Sequence, residues 1–327
     1  MNQMKKIFIA GATGVLGMPL TRALVGKNYE VFGLTRFHEK RQLLEQAGAA
    51  AVTADALDAP ALEKALQSAA PDAVIDLLTA IPKNGPLRAQ DMRATNKLRV
   101  EGTANLLKAC AAASVKRVVA ESMTFAYGFG DHGGDVKTEQ DPLQTKEAAG
   151  WLQEIVDSLR SLENQLLAAH TKGGIEAISL RFGLFYGPES LSSTYMVGML
   201  KKRLMPVISG ADGVASWIHT QDAVRAVIAA LENGRSGEIY NIVDDEPASL
   251  NDMILCMADL LGAKPPITIP IWLMRMTMPY VAVFSSARLR VSNEKAKREL
   301  NWQPQFPSYR DGLRRMIADM GEQVYYR

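Results

Sequence analysis

Residues 7–24 read IFIAGATGVLGMPLTRAL: an apolar run, then Gly11, Gly14 and Gly17, then a helical pattern. Few backbones accept such a stretch. Glycine permits a turn too tight for side chains. It also lets backbone N–H groups close on a pyrophosphate, with the positive end of the helix dipole behind them. A glycine triplet is specific when it follows the first strand, opens the first helix and heads a series of strand–helix units. Here it does. KIFIA (6–10), EVFGL (30–34), AAVTA (50–54), AVIDLL (73–78), RVVAES (117–122) and AISLRF (177–182) read as strands. Helical patterns lie between them near 15–26, 38–46, 59–69, 88–112 and 149–171. Strict alternation implies right-handed βαβ units and a parallel sheet covered on both faces.

After residue 185 helices dominate, near 194–203, 220–232, 249–261, 270–282 and 308–320, with one strand at 237–243. Prolines gather at 265, 266, 270, 279, 304 and 307. Residues 1–185 are therefore expected to form the nucleotide-binding domain and 186–327 a smaller lobe, with 216–245 partly returning to the sheet. A length of 327 residues, 47% of them hydrophobic, supports such a core, and a net charge of +2 offers no basic stripe for nucleic acid. Cys110 and Cys256 lie in apolar helical contexts, too few for a disulfide framework and without the partners of a zinc site, so no metal is expected. The N-terminal MNQMKKIFIAGATG has too short an apolar run for a signal peptide. Residues 265–284, PPITIPIWLMRMTMPYVAVF, are broken by Pro270, Pro279 and Arg275, which argues against a membrane span. A cytoplasmic protein is expected.

The spacing G-x-x-G-x-x-G resembles that of the short-chain dehydrogenase/reductase superfamily, specifically its extended branch of epimerases, dehydratases and related reductases. The likeness runs almost end to end, through TADALD (53–58), VIDLLTA (74–80), VEGTANLLKA (100–109), VKRVVAESMTFAYG (115–128), LRFGLFYGP (180–188), SWIHTQDAVRAVIAAL (216–231), YNIVDDEP (240–247) and LNWQP (300–304). It implies an α/β fold: a Rossmann-type doubly wound parallel sheet with a smaller, mainly helical C-terminal substrate lobe. It also implies cofactor contacts from Gly11, Ala12, Thr13, Gly14, Val15, Leu16 and Gly17 at the turn. Asp55 would hold the adenine amino group, with Ala56 supplying backbone contact. Leu78, Thr79 and Ala80 would lie along the ribose, and Asn96, Ser122 and Phe182 would complete the site. Many relatives pair through helices matching 88–112 and 149–171, which makes a homodimer an expectation.

NAD enzymes place an acid after the second strand, where it binds the ribose hydroxyls and repels a 2′-phosphate. Here the strand runs into GLTRFHEKR (33–41): Arg36 stands at that place, with Lys40 and Arg41 one turn on. A guanidinium pairs well with phosphate, so NADP(H) is favoured over NAD(H).

The resemblance fails at the chemistry. The superfamily uses Ser or Thr with Tyr-x-x-x-Lys for acid/base work. Met123 occupies the serine position, Ile155 and Leu159 occupy those of Tyr and Lys, and Arg99 stands where an asparagine is expected, with Asn96 one turn earlier. No Tyr-x-x-x-Lys occurs in the chain. Replacement groups are sought among Ser122, Thr124, Tyr127, Tyr186 and His219, with His132 in a glycine-rich segment expected to be a mobile loop. Tyr127 and Tyr186 are packing residues in relatives, and His219 has a structural hydrogen bond as its competing role. Asp76 replaces a usual histidine and is expected to be buried on backbone hydrogen bonds. Trp272, Met274, Met276, Met278 and Tyr280 promise an adaptable apolar wall. The expected function is an NADP(H)-dependent reductase acting on a carbonyl or activated double bond of a small, largely apolar substrate. The alternatives are a redox-neutral isomerase, epimerase or dehydratase, and a catalytically silent nucleotide-sensing protein.

Overall fold

A computed structural model describes residues 4–82, 85–147 and 149–325. The strands in chain order are β1 Lys6–Ala10, β2 Glu30–Thr35, β3 Ala50–Thr53, β4 Ala73–Asp76, β5 Arg117–Met123, β6 Asp131–Lys137, β7 Glu176–Phe182, β8 Leu184–Tyr186, β9 Val207–Ser209, β10 Trp217–His219, β11 Ile239–Ile242, β12 Thr268–Pro270 and β13 Arg288–Val291. Seven form one parallel sheet in the order β11-β7-β5-β4-β1-β2-β3. Successive residues of each central strand face opposite sides. Ile7, Ile9, Ile75, Val119 and Ile178 enter one core, and Phe8, Val74, Val118 and Ala177 enter the other. Burial on both faces is why these strands read as unbroken apolar runs.

Helices α1 Gly17–Gly26, α2 Arg41–Gln46 and α3 Ala59–Ala69 join the first four strands. Asp58 caps α3 by accepting the Ala61 N–H at 3.1 Å, and Ala70 ends it in a left-handed conformation. From β4 the chain passes through α4 Arg93–Lys97, a single π-turn Leu98–Gly102 and α5 Thr103–Ala112. The 24-residue α6, Gly150–Gly173, leads from the edge of the second lobe back to β7. In the second lobe, α7 Leu191–Lys201, α9 Leu250–Leu260 and α13 Tyr309–Tyr325 pack around Trp217, Met253, Met257, Leu313 and Met316. Between them α8 Thr220–Asn233 crosses the sheet and β11 joins its edge beside β7.

Two expectations need correction. The helix expected over 270–282 is two short helices, α10 Ile271–Thr277 and α11 Pro279–Phe284, because Pro279 cannot continue the first. The glycine-rich segment around His132 is strand β6, held parallel to β13, and not a free loop. Helix α12, Glu294–Leu300, completes the fold against α8 and β11. Among the described residues no helix is long and apolar enough to cross a membrane.

Candidate active site

From β1 the chain moves outward through β2 and β3, then returns to β4 on the other side of β1. At such a switch point the loops part and leave a crevice at the carboxyl ends of the strands. A cavity of about 1120 Å³ starts there and continues into the second lobe. The glycine turn borders it for a steric reason. A Cβ on Gly11, whose φ is +86°, would stand 2.4 Å from the Leu77 carbonyl oxygen, and one on Gly17 would stand 2.2 Å from that of Gly11. Helix α1 follows Leu16 with no side-chain cap and no acid in its first turn, so its amides remain open to an anion.

Gly11, Thr13, Gly14, Val15, Leu16 and Gly17 line this end, as do Asp55, Ala56, Leu78, Thr79 and Ala80. Asp55 Oδ1 also accepts the Leu57 N–H at 2.9 Å. Arg36 lines the cavity from the end of β2, its guanidinium 4.8 Å from the centre of the Phe37 ring, with the Lys40 ammonium 5.0 Å from the same ring. The cradle therefore suits a dinucleotide: bare backbone and a helix start for phosphates, and two cations near the ribose end. Four expected contacts lie elsewhere, Ser122 among them, since its hydroxyl is buried on Glu163. Ala12 is fully buried under the turn. Asn96 accepts a hydrogen bond from the Ser158 hydroxyl at 3.1 Å, tying α4 to α6. Phe182 is fully buried against Phe185.

The inner end of the cavity is a changed surface. Met123, Ile155 and Leu159 all line it, so the positions that hold Ser, Tyr and Lys in the superfamily present only apolar groups. Two ionisable side chains join them. Glu121 lies on the same face of β5 as Met123, two residues earlier, and Arg99 reaches in from the π-turn. Burial pushes the Glu121 carboxyl up to about 7, against the pull of Arg99 and with help from Asp76. Burial lowers the pKa of Arg99 from its ordinary value, opposed by Glu121 and Tyr280. Its Nη1 has no hydrogen-bond partner among the described residues. Tyr280 lines the same end, its hydroxyl pushed up to about 12 by burial.

The expected hydroxyl and imidazole donors fare differently. Ser122 points away from the cavity: it is fully buried and donates to Glu163 Oε1 at 2.7 Å. Glu163 in turn receives Arg181 through two bonds, at 2.8 and 2.7 Å. Arg181 also donates to the Tyr127 hydroxyl, which itself hydrogen-bonds the Thr138 carbonyl at 2.8 Å. Ser122 and Tyr127 thus belong to a closed buried network, and neither can serve as the proton donor. Thr124 is buried at the start of a 3₁₀ turn and does not border the cavity. His219 caps α8 by accepting the Gln221 N–H at 3.2 Å, and burial pushes it down to about 4, so it is a neutral, sealed group. Tyr186 is the one member of that set on the cavity wall, with no partner for its hydroxyl among the described residues. Burial, chiefly, drives its pKa well above the ordinary value. Asp76 accepts the Leu78 N–H at 3.1 Å and the Thr103 hydroxyl at 3.0 Å, and burial lifts it to about 6.

Of the expected apolar wall, Met274, Met278 and Tyr280 face the cavity, whereas Trp272 and Met276 are 59% and 76% exposed on the opposite side of α10. Glu121 went unread in the sequence, although an acid two residues before Met123 on a strand must share its face.

A switch-point crevice, a glycine turn on the first helix and a second lobe closing the far end define a dinucleotide-binding α/β protein of the extended dehydrogenase/reductase type. Residues 7–243 match the family described as the NAD dependent epimerase/dehydratase family, and the chain belongs to it. It is 33% identical over 315 residues to the 3-diazoavenalumate denitrifying reductase of a Streptomyces species, covering 95% of this chain and 99% of that one. In structure it resembles the UDP-glucose 4-epimerase of Thermotoga maritima solved with UDP-glucose (TM-score 0.81, 19% identity, 98% and 100% of the chains covered). It also resembles RMD from Pseudomonas aeruginosa solved with NADPH (TM-score 0.73, 18% identity, 97% and 99% covered).

Proposed function

We propose that this protein is an NADP(H)-dependent reductase acting on an electron-poor centre, a carbonyl, activated double bond or diazo group, of a small and largely apolar substrate. The observation that carries this reading is the composition of the inner end: Met123, Ile155 and Leu159 in place of the usual donors, beside a carboxyl held near neutrality at Glu121. The relative named as a denitrifying reductase of a diazo compound supports a net reduction. Arg36 and Lys40 favour the phosphorylated dinucleotide.

Gly11 and Gly17 with the start of α1 would hold the pyrophosphate, and Leu78 to Ala80 the ribose. Reduced nicotinamide, when bound, supplies a hydride. The chain does the rest. Met123, Ile155, Leu159 and Met278 exclude water and orient an apolar substrate. Glu121 holds a proton at its carboxyl and delivers it to the reduced product; a group with a pKa near the working pH suits general-acid work. Arg99 stabilises negative charge that grows during reduction.

The test is NADPH oxidation followed spectroscopically against a panel of aromatic aldehydes, enones and aryl diazo compounds, with products identified by mass spectrometry. Stoichiometric NADPH loss, and a fall in kcat of roughly 10²–10⁴ in Glu121→Gln, are expected. Product formed without net NADPH loss would replace this reading with redox-neutral catalysis. Tight nucleotide binding with no turnover across the panel would replace it with a sensor.

A further inference from the structure

Among the described residues two guanidinium groups are buried in core regions, and they are held differently. Arg181, 3% exposed, is satisfied within the fold by both oxygens of Glu163 and by the Tyr127 hydroxyl. Arg99, 4% exposed, faces the cavity with Nη1 unpartnered among the described residues. A guanidinium does not shed its proton in proteins, and a buried charge is costly until paired and hydrogen-bonded. We propose, on the reductase reading above, that the substrate is an anion: a flat apolar body bearing a carboxylate that Arg99 receives at the inner end of the cavity.

Three features bear on this. Arg99 stands on the π-turn Leu98–Gly102, an uncommon widening of a helix that is frequent at functional sites. The acid facing it, Glu121, is raised to about 7 and is an incomplete counter-charge at neutral pH. Tyr280, whose hydroxyl stays protonated, lines the same end and offers a second donor. A planar carboxylate matches the two-pronged donor face of a guanidinium. The walls around it, Met123, Ile155 and Leu159, accept only apolar surface. A bound anion would also favour the protonated form of Glu121, so binding and the supply of a proton reinforce each other.

The experiment uses the NADP⁺-loaded protein and matched acid and amide pairs: trans-cinnamate with trans-cinnamamide, and 1-naphthoate with 1-naphthamide, titrated by calorimetry. In at least one pair the acid is expected to bind about tenfold or more tightly than its amide, as for a charge-assisted contact. Arg99→Met should erase that preference and leave amide affinity within about twofold, and Arg99→Lys should restore part of it. NADPH fluorescence titration shows whether each variant keeps its fold. Equal binding of acid and amide in the native protein, binding of neither, or a preference that survives Arg99→Met overturns the proposal, and the first two require no variant. The same samples are assayed for NADPH oxidation with trans-cinnamaldehyde. Reduction of the aldehyde without acid preference removes this proposal alone. Arg99-dependent acid binding without NADPH loss on any compound upholds it and removes the reductase reading.

Discussion

Replacing Glu163 by glutamine should cost stability and not chemistry. The pair Arg181–Glu163 is 3% and 4% exposed, with N···O distances of 2.8 and 2.7 Å, and it joins β7 to α6 while receiving Ser122 from β5. The substitution would leave a buried guanidinium without counter-charge and turn an amide N–H₂ toward one of its donors. Breaking one partner of a buried pair costs about 3–5 kcal/mol. For a chain of 327 residues that corresponds to roughly 1.5 °C per kcal/mol, hence a fall in Tm of about 4–8 °C. Urea unfolding followed by circular dichroism measures the loss directly. Replacing both partners, Glu163→Leu with Arg181→Met, should recover much of it, because no isolated charge then remains. Ser122→Ala removes one hydrogen bond from the same network, costs about 1 kcal/mol and leaves turnover within a few-fold. The reasoning is refuted if Glu163→Gln unfolds within about 1 kcal/mol of the native protein, or if the double variant is as unstable as the two single variants added together.

Arg36→Asp should invert nucleotide preference; native NADP(H) binding is expected to exceed NAD(H) binding by about 1.5–3 kcal/mol, and calorimetry showing equal affinities defeats the assignment. Burial, helped by Asp76 and opposed by Arg99, keeps the proton on the Glu121 carboxyl up to a pH of about 7. kcat should therefore fall as pH rises through about 7, and Glu121→Gln should flatten that limb. Its raised pKa also means that the stability it contributes is full below the ordinary 4.5 and lost as pH climbs to about 7, which unfolding at a series of pH values measures against Glu121→Gln. Ile155→Val should leave activity within a few-fold, since no proton passes through that side chain; a loss of about a hundredfold or more in steady-state rates would contradict this.

What could be read from the sequence follows from burial. Central parallel strands sit between two cores, so β1, β4, β5 and β7 show as apolar runs, and α3 announces itself by Asp58 and Pro60. The short pairs β8–β10 and β9–β12 offer three residues each, too few for any period, and β6 is written DHGGDVK, a loop-like string fixed only by its distant partner β13. At the site, strand parity decided the outcome. Ser122 and Met123 are neighbours in sequence but face opposite sides of the pleat, so the hydroxyl entered the Glu163 network while Met123 and Glu121 entered the cavity. The role of Tyr127 depends on Arg181, a contact between distant elements that no local pattern encodes, whereas His219 bonds the Gln221 amide two residues on, as a local cap of α8.

The two ends of the cavity are built from different materials, and that explains how one end stayed recognisable while the other was rewritten. The end that suits a dinucleotide is built from missing side chains and from backbone amides at the start of α1, and it tolerates nothing larger than hydrogen at Gly11 and Gly17. The chemical end rests on side chains projecting from β5, α6 and the π-turn, each replaceable without moving the backbone. Removing the Tyr and Lys positions there takes away stabilisation for a localised oxyanion. A substrate reduced at such a site must spread its developing charge over a conjugated body or take a proton at once. Glu121 provides the second route and the Arg99 guanidinium eases the first, which is why conjugated enones and aryl diazo compounds should outperform isolated ketones in the NADPH assay. A clear preference for an unconjugated ketone would mean that an oxyanion donor other than these two groups operates at the site.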